Sequence, residues 1–201
     1  MVAVAVVREK GLRPALFITV DYGQPAAARE IEAGRRVAEF YRCRHRVISL
    51  DWYRELLPES FSAGDRGIPD PEVLGQESAE AVWVPGRNLV LIAIGAAWAE
   101  KLGAGRLVTG FNAEEAATFP DNSREFVEVA GKALGYSSNG RVKLLAPLAG
   151  LDKSGIVKLG RCLGVPLELA WSCYRGGETP CGRCESCQRR AAAEAAMEEH
   201  G

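Results

Sequence analysis

Several common signals are missing from this chain, and each absence narrows what it can be. No stretch approaches the roughly 18 to 20 uncharged apolar residues of a membrane-spanning helix. Neither sign of charge is in excess: 25 Lys and Arg stand against 26 Asp and Glu, a formal net charge of −1. A surface built to hold nucleic acid or an anionic membrane is therefore not expected. The opening "MVAVAVVREKG" lacks the basic flank and small-residue cleavage site of a signal peptide. The expected location is cytoplasmic, where thiols stay reduced. No internal repeat and no second apolar core are visible. The 201 residues, 47% apolar and 25% charged, are read as one globular domain over 1–201.

What is present begins with cysteine. Of six, Cys43 and Cys162 sit alone in helix-like segments and read as small buried hydrophobes. The other four, Cys173, Cys181, Cys184 and Cys187, are spaced C-x7-C-x2-C-x2-C. Short x2 steps turn neighbouring thiolates toward one point, and Gly182 permits the tight backbone this needs. Four sulfurs suit tetrahedral zinc with no position left for catalysis. Arg175, Arg183, Arg189 and Arg190 would offset the charge of such a site. An iron–sulfur cluster competes, because C-x2-C-x2-C also opens the bacterial ferredoxin run. Here, however, the chain continues into "QRRAAAEAAMEE", an Ala/Glu-rich helix over 188–199. A redox C-x-x-C pair would use fewer cysteines. Structural zinc is the favoured reading, in an appendage over 171–190.

Elsewhere strands and helices alternate. Residues 1–10 read as a helix, "ALFITV" (15–20) as a buried strand, 26–42 as an amphipathic helix and "HRVISL" (45–50) as a strand. From Pro58 to Pro85 the pattern dissolves into a Pro-, Gly- and acid-rich loop, including "SAGDRGIPDPEVLGQES". A strongly apolar helix over 86–104 is followed by a strand at "RLVTG", a helix near 123–134, a strand in "VKLLAPL" and an amphipathic helix over 151–165. The alternation predicts an α/β fold with a doubly wound parallel sheet. Ligands of such sheets bind outside the carboxyl ends of the strands. Three polar segments fall there: "DYGQ" (21–24), "GFNAEEAATFPDN" (110–122) and "PLAGLDK" (147–153). Each alone reads more readily as a turn or a solvated helix start; together they favour a site.

"ITVDYGQ", "VPGRNLVLIAIGAAWAEKLGA", "VTGFNAEEAATFPDNSREF" and the cysteine spacing occur in that order. In this the chain, from about residue 12 to 190, resembles the 7-cyano-7-deazaguanine synthases of queuosine-precursor biosynthesis. Those enzymes belong to the PP-loop, or N-type ATP pyrophosphatase, superfamily with its adenine nucleotide alpha hydrolase-like fold. The resemblance implies an ATP-dependent ligase that turns 7-carboxy-7-deazaguanine and ammonia into the nitrile through carboxylate activation, an amide and dehydration. It implies zinc, ATP with magnesium, and a homodimer. Carried over by position, it puts Asp21, Tyr22, Gly23 and Gln24 on the nucleotide side, with Gly86 and Asn88. Arg87 and Lys153 become the catalytic cations, Phe119, Pro120 and Asp121 the deazapurine site, and the four clustered cysteines the zinc ligands.

Three departures stand against this. Pro25-Ala26 replaces the family's usual Arg-His after "DYGQ", and Phe119-Pro120-Asp121-Asn122-Ser123 replaces Tyr-Pro-Asp-Cys-Arg. The superfamily's Ser-Gly-Gly-x-Asp-Ser phosphate loop is nowhere in the sequence. The interval from Met1 to Val20 equals the family's spacing between that loop and "DYGQ". The expectation is an internal methionine at Met1, with the first strand and the loop upstream, and weak ATP binding and turnover without them. Two other readings stay open: a sibling PP-loop enzyme acting on tRNA or a small acid, and a non-catalytic binding protein that lacks the loop.

Overall fold

The structure, a computed structural model, describes residues 1–62, 68 and 80–198. Along the chain, α1 (Val2–Glu9) leads to β1 (Phe17–Asp21), α2 (Ala27–Phe40) and β2 (His45–Ser49). Then come α3 (Arg87–Lys101), β3 (Arg106–Val108), α4 (Arg124–Ser137), β4 (Lys143–Leu145), α5 (Lys153–Cys162) and α6 (Glu185–Glu198). Most of the expected loop over 58–85 lies outside the described residues. Two compact units divide the chain, each made of two stretches.

One unit comprises 1–15 and 86–165. Its strands β3 and β4 pair in parallel, Leu107 opposite Leu144, and α4 lies between them in sequence. Parallel neighbours need such a crossover, because a tight hairpin can only join antiparallel strands. Ile92, Ala96 and Ala99 of α3 meet Ala130 and Leu134 of α4 and Val142, with Leu107, Phe126 and Leu144 around them. Small alanines at helical spacing let the two helices approach closely, and burial of each larger aliphatic contributes about 1.5–3 kcal/mol. The helix starts follow from the sequence. The Ser123 hydroxyl accepts from the Phe126 N–H (3.1 Å), and Asp152 Oδ1 accepts from the Gly155 N–H (2.7 Å). Such caps satisfy otherwise orphaned amide donors and contribute roughly 1 kcal/mol each.

The second unit comprises 16–85 and 166–201. Here β1 and β2 pair in parallel from Phe17 opposite His45 to Asp21 opposite Ser49, and α2 is the crossover. On and just after the amphipathic α2, Val37, Ala38 and Tyr41 are buried and Ile31 is half-buried. Cys43 is half-buried and Cys162 exposed, so neither is the buried hydrophobe expected from its helical segment. Phe17 and Tyr41 stack with centroids 5.8 Å apart. A smaller apolar cluster gathers Ile68, Cys173, Cys184 and Cys187 with Phe61, Trp171 and Tyr174. The α/β class and the parallel pairing agree with the sequence. Among the described residues the ladders are two, each of two strands.

Candidate functional site

The four cysteines that could hold a metal come together as the spacing requires. The Sγ atoms of Cys173, Cys181, Cys184 and Cys187 all lie within 4.8 Å of one another. Two of the separations are 3.9 Å (Cys181 to Cys187) and 4.0 Å (Cys184 to Cys173). A tetrahedron with zinc–sulfur arms of about 2.3 Å has edges of about 3.8 Å, so the four thiols fit zinc. Gly182, at φ 71°, turns the backbone between Cys181 and Cys184. The N–H groups of Arg183 and Cys184 then donate to Cys181 Sγ at 3.5 and 3.3 Å, and those of Arg175 and Cys181 to Cys173 Sγ at 3.3 and 3.5 Å.

These donors act on the thiols' acidity. Burial alone pushes Cys181 up, but the Cys184 and Arg183 amides bring it down to about 7. Burial pushes Cys173 and Cys187 up, and each also feels the Cys184 charge. Thiolates crowded this closely raise one another's pKa, and a central dication relieves that repulsion. Cys184 is fully buried and immediately precedes α6, and Cys187 lies in the first turn of that helix.

The "DYGQ" residues form a turn bonded to itself. Asp21 Oδ1 accepts from the Gly23 N–H (2.9 Å), and Gln24 Oε1 accepts from the Tyr22 N–H (3.0 Å). The Gln24 amide donates in turn to the Val20 carbonyl (3.1 Å) and to Glu30 Oε2 (2.8 Å). Gln24 is 5% exposed, and its amide is spent on holding the backbone. Tyr22 is buried edge-on to Tyr53, whose hydroxyl donates to the Pro85 carbonyl. Asp21 and Gly23 keep part of their surface open.

The other unit holds the remaining positions. Gly86 caps α3 in the left-handed region, with Arg87 half-buried beside it. Asn88, 6% exposed, donates through Nδ2 to the Asp121 carbonyl at 3.2 Å. That bond ties the α3 N-terminus to the 3-10 turn Pro120–Asn122. Asp121 is half-buried, its Oδ1 accepting from Asn122 Nδ2 (3.2 Å); Pro120 is exposed and Phe119 is 6% exposed. Lys153 Nζ stands 2.9 Å from Glu115 Oε1, and its own N–H donates to Glu114 Oε2 at 3.1 Å. Glu114 and Glu115 were not singled out from the sequence. Their one signal is their place after β3, on a short helix capped by Asn112, which accepts from the Glu115 N–H at 2.9 Å.

Comparison with known proteins places this arrangement in context. A family model described as "Queuosine biosynthesis protein QueC" matches residues 2–198. The 7-cyano-7-deazaguanine synthase of Methanosarcina mazei is 44% identical over 202 residues, covering 96% of this chain and 87% of the relative. That of Methanosarcina barkeri is 47% identical over 188 residues (89% and 81%), and that of Bdellovibrio bacteriovorus 45% over 181 (87% and 78%).

Proposed function

The chain belongs to the QueC family of queuosine biosynthesis proteins, and from that membership we infer an enzyme that converts 7-carboxy-7-deazaguanine to 7-cyano-7-deazaguanine. The observation that carries this reading is the match over residues 2–198, which takes in every segment of the candidate site. We further read both compact units as parts of one PP-loop domain over 1–201, with 171–190 as its zinc-binding appendage.

A carboxylate is a poor electrophile. ATP, with its magnesium, is the co-substrate that attaches a leaving group to the carboxylate oxygen, and ammonia displaces that group to give the amide. A second activation puts a leaving group on the amide oxygen; the C–O bond then breaks as nitrogen gives up two protons, leaving the nitrile. The protein must therefore hold a triphosphate and a flat base in fixed orientation, and keep water from the activated acyl carbon.

The roles follow the chemistry of each group. Gly86, Arg87 and Asn88 open α3, and helix N-terminal amides favour phosphate or carboxylate. Lys153 supplies a point charge for the phosphates, with Arg87 as the second catalytic cation. The 21–24 turn lines the nucleotide side. Phe119, Pro120 and Asp121 face the deazapurine, the Asp121 carboxylate accepting from its guanine-like N–H edge. The Asn88 bond to Asp121 supports this, since it makes phosphate-side and base-side residues one hydrogen-bonded group. Zinc on Cys173, Cys181, Cys184 and Cys187 would have no open position, and would supply structure rather than catalysis.

We also propose a cytoplasmic homodimer with no nucleic-acid partner. Among the described residues no helix is long and apolar enough to cross a membrane, and the net charge is −1. Light scattering tests the dimer. The activity is tested by incubating the purified protein with 7-carboxy-7-deazaguanine, ammonium and magnesium–ATP and following amide and nitrile by mass. Nitrile formation is expected. Calorimetric binding of ATP without binding of the deazapurine would overturn the substrate assignment.

A further inference from the structure

The turn after β1 with the start of α2, and the loop that carries Cys173, touch at three points, although some 150 residues separate them. Arg29 Nε donates to the Gly177 carbonyl at 2.8 Å. The same guanidinium lies over the Trp171 ring, 5.8 Å from its centroid. Trp171 is fixed in turn by its indole N–H, which donates to the Cys173 carbonyl at 2.8 Å. Finally, the Gly176 backbone lies against Pro25. A Cβ on Gly176 would stand 2.2 Å from the Pro25 carbonyl oxygen and 3.6 Å from the Ala26 α-carbon. No residue with a side chain fits there unless the backbone moves. Ala26, 1% exposed, immediately precedes α2, and Gln24 anchors the turn before it.

We propose that Arg29 and Gly176 are positioning residues through which the four-thiolate site holds the 21–26 turn in its nucleotide-binding shape. Outside regular helix or strand, a loop keeps a shape only through its anchors, because ordering each residue costs backbone entropy. Cys173 provides such an anchor once a metal draws the four thiolates together. The Cys173 carbonyl fixes Trp171, Trp171 and Gly177 fix Arg29, and Arg29 fixes the first turn of α2. Gly176 closes the contact from the other side by backing the Pro25 carbonyl. The metal site thus acts on the 21–26 turn without touching it. This inference rests on the zinc reading and on the assignment of ATP to residues 21–24.

Hydrogen exchange of the full chain, read by mass spectrometry, tests it. In zinc-loaded Arg29→Ala and Gly176→Ala, amides over 21–27 should exchange about tenfold faster than in the unchanged protein. Amides of β3 and β4 should be unaffected. Zinc content should stay at about one per chain. Affinity for ATP should fall several-fold while affinity for 7-carboxy-7-deazaguanine stays within about twofold. Arg29→Lys should restore only part of the loss, because an ammonium cannot both stack on Trp171 and offer the Nε bond. Unchanged exchange over 21–27 in both zinc-loaded variants would overturn the proposal. Faster exchange with ATP affinity unchanged would overturn its nucleotide part. Protein purified without metal would overturn the zinc reading separately, and Arg29→Ala would still decide whether the two loops are coupled.

Discussion

Lys153 and Glu115 form an ion pair, 2.9 Å from Nζ to Oε1, with side chains 21% and 22% exposed. A lysine assigned to phosphate is thus already neutralised by a carboxylate, and an incoming triphosphate has to share it or displace that carboxylate. Partial burial makes breaking the pair costly from either side, since whichever charge remains is left without its partner.

Lys153→Ala should therefore lower both stability and ATP affinity, the latter by about ten- to a hundredfold for a lost charge-assisted contact. The double variant Lys153→Ala with Glu115→Gln leaves no lone charge and should recover most of the stability but none of the ATP affinity. Denaturant midpoints and calorimetry read the two quantities separately. Recovery of both would rule out a phosphate role for Lys153.

Replacing Cys184 with Ser should release the metal, because one harder ligand in a fully buried thiolate site weakens all four. Metal analysis should fall from about one zinc per chain to a small fraction, with a lower thermal midpoint, since binding free energy is also folding free energy. Iron with acid-labile sulfide in the unchanged protein would contradict zinc.

Asp121→Ala should weaken deazapurine binding much more than ATP binding, because the acceptor proposed for the base's N–H edge is lost. Asn88→Ala removes only the 3.2 Å bond to the Asp121 carbonyl. It should cost about 1 kcal/mol of stability and shift base affinity in the same direction by a smaller factor. Equal losses for both ligands in Asp121→Ala would make Asp121 a turn residue.

His45 gives a pH dependence of known sign. Burial, followed by the Arg35 charge, lowers its pKa from 6.5, and its Nε2 lies 2.9 Å from Thr19 Oγ1. The unfolded chain thus takes up the proton first as pH falls. The stability this residue contributes is present above about pH 6.5 and is lost as pH drops toward the lower folded value. The denaturant midpoint should fall between pH 7 and 5.5, and the slope should flatten in His45→Gln. A midpoint that rises on acidification would refute this.

The parts legible in the sequence were those set by near neighbours. The four cysteines find one another because two-residue steps and Gly182 dictate it. The amphipathic α2 is legible from its period and α3 from the length of its apolar run. The last helix starts at Glu185 rather than at the expected 188, because Cys187 occupies its first turn and the cysteine spacing carries no helical signal. Contacts between distant segments left no trace. Nothing near Lys153 points to Glu115, and nothing near Gly176 points to Pro25, because these partners meet only through the packing of other elements. Gln24 shows a bond pattern the sequence does not spell out: its side chain accepts from the Tyr22 N–H and donates to the Val20 carbonyl and to Glu30 of α2.

Each compact unit is built from stretches that the chain leaves and later rejoins, and this sets an order of events during synthesis. Strands β1 and β2 and helix α2 emerge early, but the 166–198 segment of the same unit follows the whole of 86–165. At roughly 5–20 residues per second, the interval from residue 85 to Cys187 lasts about 5–20 s. Until residues 171–176 are made, for most of that interval, the Pro25 carbonyl has no Gly176 against it and Arg29 no Trp171 to stack on. The nascent β1–α2–β2 segment therefore waits half-finished on the ribosome, open to proteases and to neighbouring chains, and the cysteine ligands act as a late clasp. Ribosome-bound chains arrested just before Cys173 should be cleaved readily within 16–62, and chains extended past Cys187 in the presence of zinc should resist.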